Sequence, residues 1–291
     1  MMVSRKIMFV LNPKAGRVGK GNIRRLIETD FPQPGFSICE TTSVQDLESL
    51  KKKLLREQFT DVIACGGDGT ANKVAAIASA LNLTFGVLPL GSGNGLARSV
   101  GMEMDLKKAL QQLAVGKWKK VDVGVLNGMP FFCAAGIGFD AHISRLFENA
   151  RRRGVLGYIL LMLREFFFYK SGTYIFQFNG ISITRKSFLA GICNSSQYGN
   201  GFHIAPGASM EDGRLNLAIL RPFPRLFAPY IIWKAFRAKI NKTRWMEIHQ
   251  VDCCTIHFKG KGWVHLDGEP VQSESTMQIS IRPASLKIIC G

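Results

Sequence analysis

The sequence predicts two domains, an α/β domain built on a parallel sheet and a β-rich sandwich domain after it. Strand and helix patterns alternate over the first ~125 residues, which is typical of a parallel sheet with helical crossovers. From Val121 onwards, short β-rich segments are separated by turn signals, as in an antiparallel sandwich. A chain of 291 residues is long enough to form both domains.

The first domain has four apolar runs that predict strands, with helical patterns between them. The strands are predicted at residues 6–11, 36–40, 61–65 and 85–90. The helices are predicted near residues 21–29, 44–58, 70–81, 96–100 and 105–115. Glycine-rich loops follow Leu11, Cys65 and Leu90. We expect these loops to converge, because ligands of open α/β sheets bind at the carboxyl ends of the strands.

The second domain is predicted from short strand patterns and two helical inserts. The strands are predicted at residues 121–126, 129–136, 172–178, 181–184, 188–194, 214–220, 246–249, 254–258, 264–267 and 277–281. The helical inserts are predicted near residues 140–170 and 225–240. We therefore place the domains at residues 1–121 and 122–283, and residues 284–291 could return to the first domain.

The chain is strongly basic, because 38 Lys and Arg against 21 Asp and Glu give a net charge of +17. Such a balance favours an anionic membrane surface or nucleic acid as a partner. The basic residues of one segment are Arg221, Arg225, Lys234, Arg237, Lys239, Lys242 and Arg244, with no acidic residue among them. Its apolar residues include Phe223, Phe227, Tyr230, Ile231, Ile232, Trp233 and Phe236.

At helix-like spacing, the composition of residues 221–244 predicts a surface helix that docks on anionic lipid. One alternative is stacking on single-stranded nucleic acid. Another is a core-facing helix whose outer side happens to be basic.

Cysteine usage and hydropathy indicate a cytoplasmic protein. The seven cysteines include no C-x-x-C pair, which favours reduced thiols over a disulfide framework or a zinc site. Strand alternation predicts that Cys253 and Cys254 point to opposite faces. The most apolar stretch, residues 155–169, contains two charged residues and falls short of the ~20 residues of a membrane span. We therefore expect peripheral association with the inner face of the membrane.

Residues 61–80 carry the most informative local signal. An apolar strand pattern ends in Gly66-Gly-Asp-Gly-Thr70, and a helical pattern follows. Glycines let the backbone approach a ligand closely, and a helix N-terminus offers N–H groups and a positive dipole end to phosphate. The carboxylate of Asp68 disfavours an anion unless a metal ion or an acceptor hydroxyl lies beside it. The alternative is an ordinary strand-to-helix turn.

Two further loops accompany this one, Asn12-Pro-Lys-Ala-Gly16 and Leu88-Pro-Leu-Gly-Ser-Gly-Asn-Gly-Leu-Ala97. In order and spacing, the three loops resemble the diacylglycerol kinase catalytic-domain family, which includes bacterial lipid kinases and sphingosine kinases. The resemblance continues in Ala135-Gly-Ile-Gly-Phe-Asp140, Gly207-Ala-Ser-Met-Glu-Asp-Gly-Arg-Leu215 and Asp267-Gly-Glu-Pro270, so it covers nearly the whole chain. It implies a phosphofructokinase- or NAD kinase-like α/β domain, a β-sandwich and a nucleotide cleft between them.

The polar groups of the three loops suit a nucleotide. Asn12 and the turn after it offer amide donors, and the second loop adds N–H groups and the Thr70 hydroxyl. The resemblance assigns ATP to this cluster, with Asp68 near the reacting phosphate and its metal. The predicted ATP-binding residues are Asn12, Pro13, Lys14, Ala15, Gly16, Thr42, Gly66, Gly67, Asp68, Gly69, Thr70, Asn72, Ser92 and Asn94.

Phosphoryl transfer often uses a base that takes the proton of the acceptor hydroxyl. Asp267-Gly-Glu269 follows a predicted strand and could supply that base. The resemblance implies that Glu269 accepts the proton, with Asp267 beside it, and that both act together with Asp68. The alternative is a β-turn that uses Asp267 and Gly268.

The resemblance implies two more sites. A structural Mg²⁺ would be bound by the carboxylate of Asp212 and by main-chain oxygens of Ser209 and Arg214; the alternative is a plain turn aspartate. Asp140 would contact the acceptor head group, with a helix N-cap as the alternative.

The sequence thus predicts an ATP- and Mg²⁺-dependent kinase that phosphorylates a hydroxyl of a diacylglycerol-like lipid at the membrane surface. Many diacylglycerol kinases have an aspartate at the position of Gly95. A small residue there resembles the sphingosine and ceramide kinase branch, so a sphingoid base or ceramide stays open as the acceptor. NAD kinase is a further alternative, as is a non-catalytic membrane- or nucleic-acid-binding protein on the same scaffold. Nucleic acid is not expected as a partner, and a homodimer is left open.

Overall fold

A computed structural model describes residues 5–13, 20–148 and 155–291 of the protein. The described residues form two compact units. One lies within Met1–Val121 together with Ala284–Gly291, and the other comprises Asp122–Pro283.

The first unit is an α/β structure with parallel strands. Its strands are β1 (Ile7–Leu11), β2 (Phe36–Glu40), β3 (Asp61–Gly66) and β4 (Thr84–Pro89). Its helices are α1 (Lys20–Asp30), α2 (Val44–Arg56), α3 (Asp68–Leu81), α4 (Gly95–Ser99) and α5 (Leu106–Val115). The strands pair in the order β2-β1-β3-β4, all in parallel. Every residue of β1 and β3 is buried, as expected for parallel strands covered on both faces.

Helix α3 begins two residues earlier than the predicted start at Thr70. The amide of Ala71 donates to the carbonyl of Gly67 at 3.0 Å, so the helical hydrogen bonds already include the glycine loop. Glycines at 67 and 69 favour a loop interpretation of the sequence, but Gly67 serves as the N-cap residue in an extended conformation. Asp68 therefore lies in the first turn of α3.

The described part of the second unit contains most of the remaining strands and three α-helices. The strands are β5 (Trp118–Leu126), β6 (Met129–Phe131), β7 (Ala134–Gly138), β8 (Gly172–Phe178), β9 (Ile181–Ser187), β10 (Leu189–Cys193), β11 (Leu215–Leu220), β12 (Met246–Val251), β13 (Cys253–His257), β14 (Gly262–Leu266), β15 (Glu269–Ser273) and β16 (Thr276–Ile289). The helices are α6 (Phe139–Glu148), α7 (Val155–Phe168) and α8 (Ala228–Phe236). Strands β5 and β16 contribute residues to both units. The end of β16 runs parallel to β4, with Lys287 opposite Thr84.

Two antiparallel sheets form the sandwich of the second unit. One has the order β12-β11-β10-β7-β14-β15, and the other contains β16-β13-β8-β9. Residues of both sheets, such as Ile192, Val264, Phe176 and Ile256, share one buried core. The opposite face of the six-stranded sheet packs on helices in a second core that includes Ile143 of α6. This face carries the polar residues described below.

The predicted fold class, an α/β domain with a parallel sheet followed by a β-sandwich, is confirmed. Several element predictions were wrong in detail. Strand β15 was missed, since Glu269 and Pro270 are weak strand formers. The helical insert near 140–170 is two helices, and the predicted strand at 129–136 is broken between β6 and β7. Cys253 is exposed and Cys254 buried, as strand alternation predicts.

Candidate active site

The loops that follow β1, β3 and β4 meet at the carboxyl ends of these strands. The side-chain amide of Asn12 donates to the hydroxyl of Thr70 at 2.9 Å, which joins the first loop to the second. The amide of Leu90 donates to the carbonyl of Gly66 at 3.0 Å, which joins the third loop to the second. The three loops thus form one hydrogen-bonded cluster, as the sequence predicts.

Glycine is required where the second and third loops touch. A Cβ atom added to Gly91 would lie 2.7 Å from the Cα of Gly67, and one added to Gly93 would lie 2.7 Å from Oδ2 of Asp68. Both distances are shorter than real Cβ contacts allow. The two loops therefore pack backbone against backbone, and only glycine permits that approach.

Asp68 holds the third loop through both carboxylate oxygens. Its Oδ1 accepts the amide of Gly95 at 2.7 Å, and its Oδ2 accepts the amide of Asn94 at 3.0 Å. Hydrogen bonds to an ionised acceptor are stronger than neutral ones, so this side chain fixes the start of α4 against the start of α3. The family resemblance implies that Asp68 lies near the reacting phosphate, and the structure adds this loop-fixing contact.

Near the N-terminus of α3, one polar side chain has no hydrogen-bond partner among the described residues. The N-cap of α3, Gly67, makes no side-chain capping bond. Both polar atoms of the Asn72 side chain are buried and lack a hydrogen-bond partner among the described residues. Buried polar groups are almost always hydrogen-bonded in folded proteins. Such an end of a long helix suits an anionic, hydrogen-bonding ligand such as phosphate.

Other residues of the predicted ATP set have local roles or lie at the surface. Asn94 is buried with φ +50° and exchanges hydrogen bonds with both backbone groups of Gly91, so it closes its own loop. Thr42 is bonded to Asp46 at the start of α2. Ser92 is exposed, and Pro13 is partly buried. Lys14, Ala15 and Gly16 lie outside the described residues.

In the second unit, Asp267 and Gly268 form the tight turn between β14 and β15. Leu266 pairs with Glu269 across this two-residue turn. Asp267 has φ +50° and Gly268 has φ +88°, which are the signs of a type I′ hairpin turn. The turn alternative is therefore correct as local structure, and it places Glu269 at the first position of β15.

The carboxylate of Asp267 is bound by the backbone that joins β6 to β7. It accepts the amides of Phe132, Cys133 and Ala134 at 2.8, 2.7 and 2.8 Å. Burial raises the pKa of Asp267 to about 6, while these three amides and the nearby His265 act in the opposite direction. With its oxygens engaged, Asp267 fixes the turn that carries Glu269.

Asp140 lies in the first turn of α6 with its carboxylate largely buried. Its Oδ2 lies 3.0 Å from Nε2 of His265 and accepts the hydroxyl of Tyr198 at 3.1 Å. Its Oδ1 accepts the amide of Ala141 at 2.8 Å. The carboxylate thus has three donors from the protein itself.

Comparison with known proteins assigns these loops to a family. The chain matches the family model of the diacylglycerol kinase catalytic domain over residues 6–126. Residues 133–290 match the model of the YegS C-terminal NAD kinase beta sandwich-like domain. The chain belongs to the diacylglycerol kinase catalytic-domain family. By class it is a lipid kinase, and membership implies ATP as the phosphate donor.

Relatives of this lipid kinase cover almost its full length. A Pseudomonas putida protein named "Probable lipid kinase YegS-like" is 26% identical, over 99% of this chain and 96% of its own. A Mycobacterium tuberculosis protein named diacylglycerol kinase is 27% identical, over 98% and 94%. The crystal structure of a diacylglycerol kinase from Bacillus anthracis shares the fold, with a TM-score of 0.74 at 17% identity over 99% and 97% of the two chains.

The predicted Mg²⁺ loop of this lipid kinase is a compact turn. Oδ1 of Asp212 accepts the amide of Arg214 at 3.0 Å, and the Ser209 hydroxyl accepts the amide of Glu211 at 3.2 Å. Oδ2 of Asp122, a buried residue, accepts the amide of Gly213 at 2.8 Å. Oxygen donors of this kind are what Mg²⁺ prefers. No group of three or more His, Cys, Asp or Glu suited to a metal occurs in the described ranges.

Three partners of the site residues were not found from the sequence. Tyr198 and His265 bind Asp140, and Asp122 binds the loop of Asp212. His265 lies two residues before Asp267, which is the only sequence signal that could have indicated it. Tyr198 and Asp122 come from distant segments, so their contacts depend on the folded sheet.

In the part of the chain that the structure describes, no helix combines the length and apolar character needed to span a membrane.

Proposed function

We propose that the protein transfers the γ-phosphate of ATP, with Mg²⁺, to a hydroxyl of a diacylglycerol-like lipid at an anionic membrane surface. The observation that carries this proposal is the convergence of the three loops of the first unit through Asn12, Thr70, Asp68 and Gly95. Three strands that end in these loops, held together by the carboxylate of Asp68, would make a rigid group of N–H donors for phosphate.

Donor groups at the start of α3 would bind the phosphates. The N–H groups of the first turn point out of the helix end, and the macrodipole favours negative charge there. Thr70, in the first turn of α3, would add its hydroxyl as a side-chain donor. Mg²⁺, when bound, supplies neutralisation of the charge that develops during phosphoryl transfer. Asp68 keeps the third loop in place beside these donors.

Glu269 would take the proton of the lipid hydroxyl. It begins β15 directly after the turn that the carboxylate of Asp267 fixes to residues 132–134. Since Asp267 already accepts three amides, it suits a positioning role better than proton transfer. The family resemblance points to the same glutamate as the proton acceptor.

The charges near Asp140 favour one class of acceptor. A sphingoid base carries an ammonium group, and its natural partner would be the carboxylate of Asp140. That carboxylate already has three protein donors, and an ammonium would have to displace one of them. A cleft of about 310 Å³ beside α6 is lined by Arg145, Lys259 and Lys261, and none of its lining residues is acidic. These features support a neutral, diacylglycerol-like acceptor over a cationic one.

Two helices of the second unit present apolar side chains to solvent, which supports docking on a membrane. The ring of Phe166 on α7 lies 6.1 Å from that of Phe223, just before α8, and the guanidinium of Arg225 lies over Phe166 at 5.1 Å. The end of α7 therefore lies against the segment leading into α8. The exposed apolar residues of α7, of the short 3₁₀ turn Arg225–Phe227 and of α8 are Leu160, Leu163, Phe167, Phe168, Leu226, Phe227, Tyr230, Ile232, Trp233 and Phe236. We call this surface the α7–α8 face.

Charge decides what the α7–α8 face would bind. Only Ile231 and Ala235 of α8 are buried, so the core-facing alternative accounts for a minor part of this helix. The exposed aromatic rings are interleaved with basic residues, and Arg237 lies over the Trp233 ring at 5.7 Å. Rings at the head-group level and basic side chains beside anionic phosphates are the usual arrangement of an interfacial helix.

The test is a phosphorylation assay with γ-labelled ATP and Mg²⁺ on vesicles that contain one acceptor each. Diacylglycerol, sphingosine, ceramide and soluble NAD are offered separately, and the labelled product is identified. We expect label in the diacylglycerol product only. Label in the sphingosine or ceramide product would show that a sphingolipid, and not a diacylglycerol-like lipid, is the acceptor. Label in NADP would indicate an NAD kinase. Absence of transfer to every acceptor would contradict the kinase proposal.

Variants make the assay specific to the proposed site. Glu269→Gln removes the proton acceptor with little change in size, and we expect at least a hundredfold loss of kcat. Glu274→Gln is the matched control, because Glu274 is an exposed glutamate at the other end of the same hairpin, paired with Lys261. The control should retain wild-type activity.

A further inference from the structure

A buried polar cluster lies on the helix-facing side of the six-stranded sheet. It consists of Asp140 on α6, Tyr198 after β10, and His265 on β14. The side chains of His265 and Asp140 are only 4% and 14% exposed, and Nε2 of His265 lies 3.0 Å from Oδ2 of Asp140. Burial of an ionisable pair is costly unless its hydrogen bonds are complete. The burial of this pair therefore indicates a role beyond packing.

The sheet makes room for this cluster with two glycines. Gly136 on β7 pairs with Gly191 on β10 and with His265 on β14. A Cβ atom on Gly136 would lie 2.7 Å from both Oδ2 of Asp140 and Nε2 of His265. A Cβ atom on Gly191 would collide with the hydroxyl of Tyr198. The backbone is thus shaped around the cluster at three adjacent strands.

The hydrogen bonds of His265 define its tautomer. Its Nδ1 accepts the amide of Gly268 at 3.3 Å, so this nitrogen carries no proton. Nε2 therefore carries the proton and donates to Asp140. An unbroken series of bonds runs from Asp140 through the imidazole to Gly268, which is the residue before Glu269.

We propose that His265 is a positioning residue for Glu269. The carboxylate of Asp267 fixes the first position of the type I′ turn, and the imidazole of His265 fixes the second through the amide of Gly268. Asp140 holds the imidazole in the tautomer and orientation that this contact needs. This inference rests on the proposed function, because it gives Glu269 the proton of the lipid hydroxyl.

Two substitutions test the two hydrogen bonds of the imidazole, from Nε2 to Asp140 and from the amide of Gly268 to Nδ1, one at a time. In His265→Gln, the side-chain amide reaches the place of Nε2 and can still donate to Asp140, but nothing accepts the amide of Gly268. In His265→Asn, the shorter side chain offers an oxygen near the place of Nδ1 and can still accept that amide, but Asp140 loses a donor. Tyr198→Phe is the matched control, since it removes a donor from Asp140 without touching the turn.

We expect His265→Gln to lower kcat about tenfold, with the KM values for lipid and ATP within twofold of wild type, because small displacements of a catalytic group cost rate rather than binding. His265→Asn should retain most of kcat, and so should Tyr198→Phe. A purely structural role predicts the reverse order, because asparagine leaves the buried Asp140 short of a donor. Equal loss in both His265 variants, or greater loss in His265→Asn, would overturn the proposal.

A spectroscopic measurement tests the geometry without activity. In protein labelled with ¹⁵N-histidine, the signal that disappears in His265→Asn should show the tautomer protonated at Nε2; a proton on Nδ1 would overturn the proposal. The outcomes also separate the two hypotheses. If wild-type protein phosphorylates no lipid, the proposed function fails. If Glu269→Gln is inactive while His265→Gln has wild-type kcat, only the role of His265 fails.

Discussion

Asp68 and Gly95 are joined by a hydrogen bond of 2.7 Å between a side-chain carboxylate and a backbone amide, 27 positions apart in the chain. The same carboxylate binds the amide of Asn94, so one side chain fixes the third glycine-rich loop to the second. The contact explains why an aspartate stands between glycines at this position, because its carboxylate binds two backbone amides of the third loop. The contact also means that substitution of Asp68 changes the shape of the loops and not only their charge.

Asp68→Asn should therefore impair both stability and catalysis. An amide has one acceptor oxygen, so either Asn94 or Gly95 would face an N–H group, and an unsatisfied buried amide costs about 1–3 kcal/mol. We expect a fall of that size in the free energy of unfolding by urea and at least a hundredfold fall in kcat/KM for ATP. Asp105→Ala removes the N-cap carboxylate of α5 and is the control for capping alone. It should lose stability but keep activity, and full activity in Asp68→Asn would refute the role of Asp68.

Gly91→Ala should separate the two loops. The added Cβ would lie 2.7 Å from the Cα of Gly67 and 2.8 Å from Oδ1 of Asn94, so the loops must move. If these loops bind the phosphates of ATP, the Kd measured by calorimetry should rise at least tenfold. Gly207→Ala is the control, because a Cβ there meets nothing within 4 Å and its Kd should stay at the wild-type value. Unchanged ATP binding in Gly91→Ala would place the nucleotide elsewhere.

The convergence of the three loops could be predicted from the sequence, whereas their mutual contacts could not. Parallel strands carry their carboxyl ends to the same edge, so loops after Leu11, Cys65 and Leu90 must lie near one another. The bond from Asp68 to Gly95 depends on how closely two glycine backbones approach. That distance depends on the packing of the complete sheet, so it cannot be predicted from the sequence of the loops alone.

In the second unit, too, the local turn could be predicted from the sequence but its long-range contacts could not. Asp267 and Gly268 are recognisable as a turn, and the family resemblance points to Glu269, but neither indicates that Asp267 binds residues 132–134. The partners of Asp140 come from β14 and from the segment after β10. Their meeting depends on strand order, which short alternating segments leave undetermined.

The titration of Asp267 should appear in the pH dependence of stability. Its pKa is about 6 in the folded protein and 3.8 is its ordinary value, so between these values the folded state holds a proton that the unfolded state has lost. The free energy of unfolding should therefore fall as the pH rises from 4 to 6, by up to roughly 3 kcal/mol from this group, and be constant above. Asp267→Asn removes the titration. The free energy of unfolding of the wild type minus that of the variant should therefore fall between pH 4 and 6. A difference that rises with pH over this range would contradict the raised pKa of Asp267.

The α7–α8 face should bind anionic vesicles by insertion of apolar side chains and by charge. Leu226 and Trp233 are 87% and 51% exposed, and loss of either side chain from the interface should weaken binding about tenfold, since burial of a large apolar side chain is worth about 1.5–3 kcal/mol. We expect this for Leu226→Ser and Trp233→Ala in sedimentation with anionic vesicles. Val115→Ser and Trp118→Ala change exposed apolar residues of the first unit and should bind as wild type does. Because exposed charges are screened, wild-type binding should also fall as salt is raised. If binding is the same at all anionic lipid contents and is unchanged in Leu226→Ser and Trp233→Ala, the α7–α8 face is not the membrane interface.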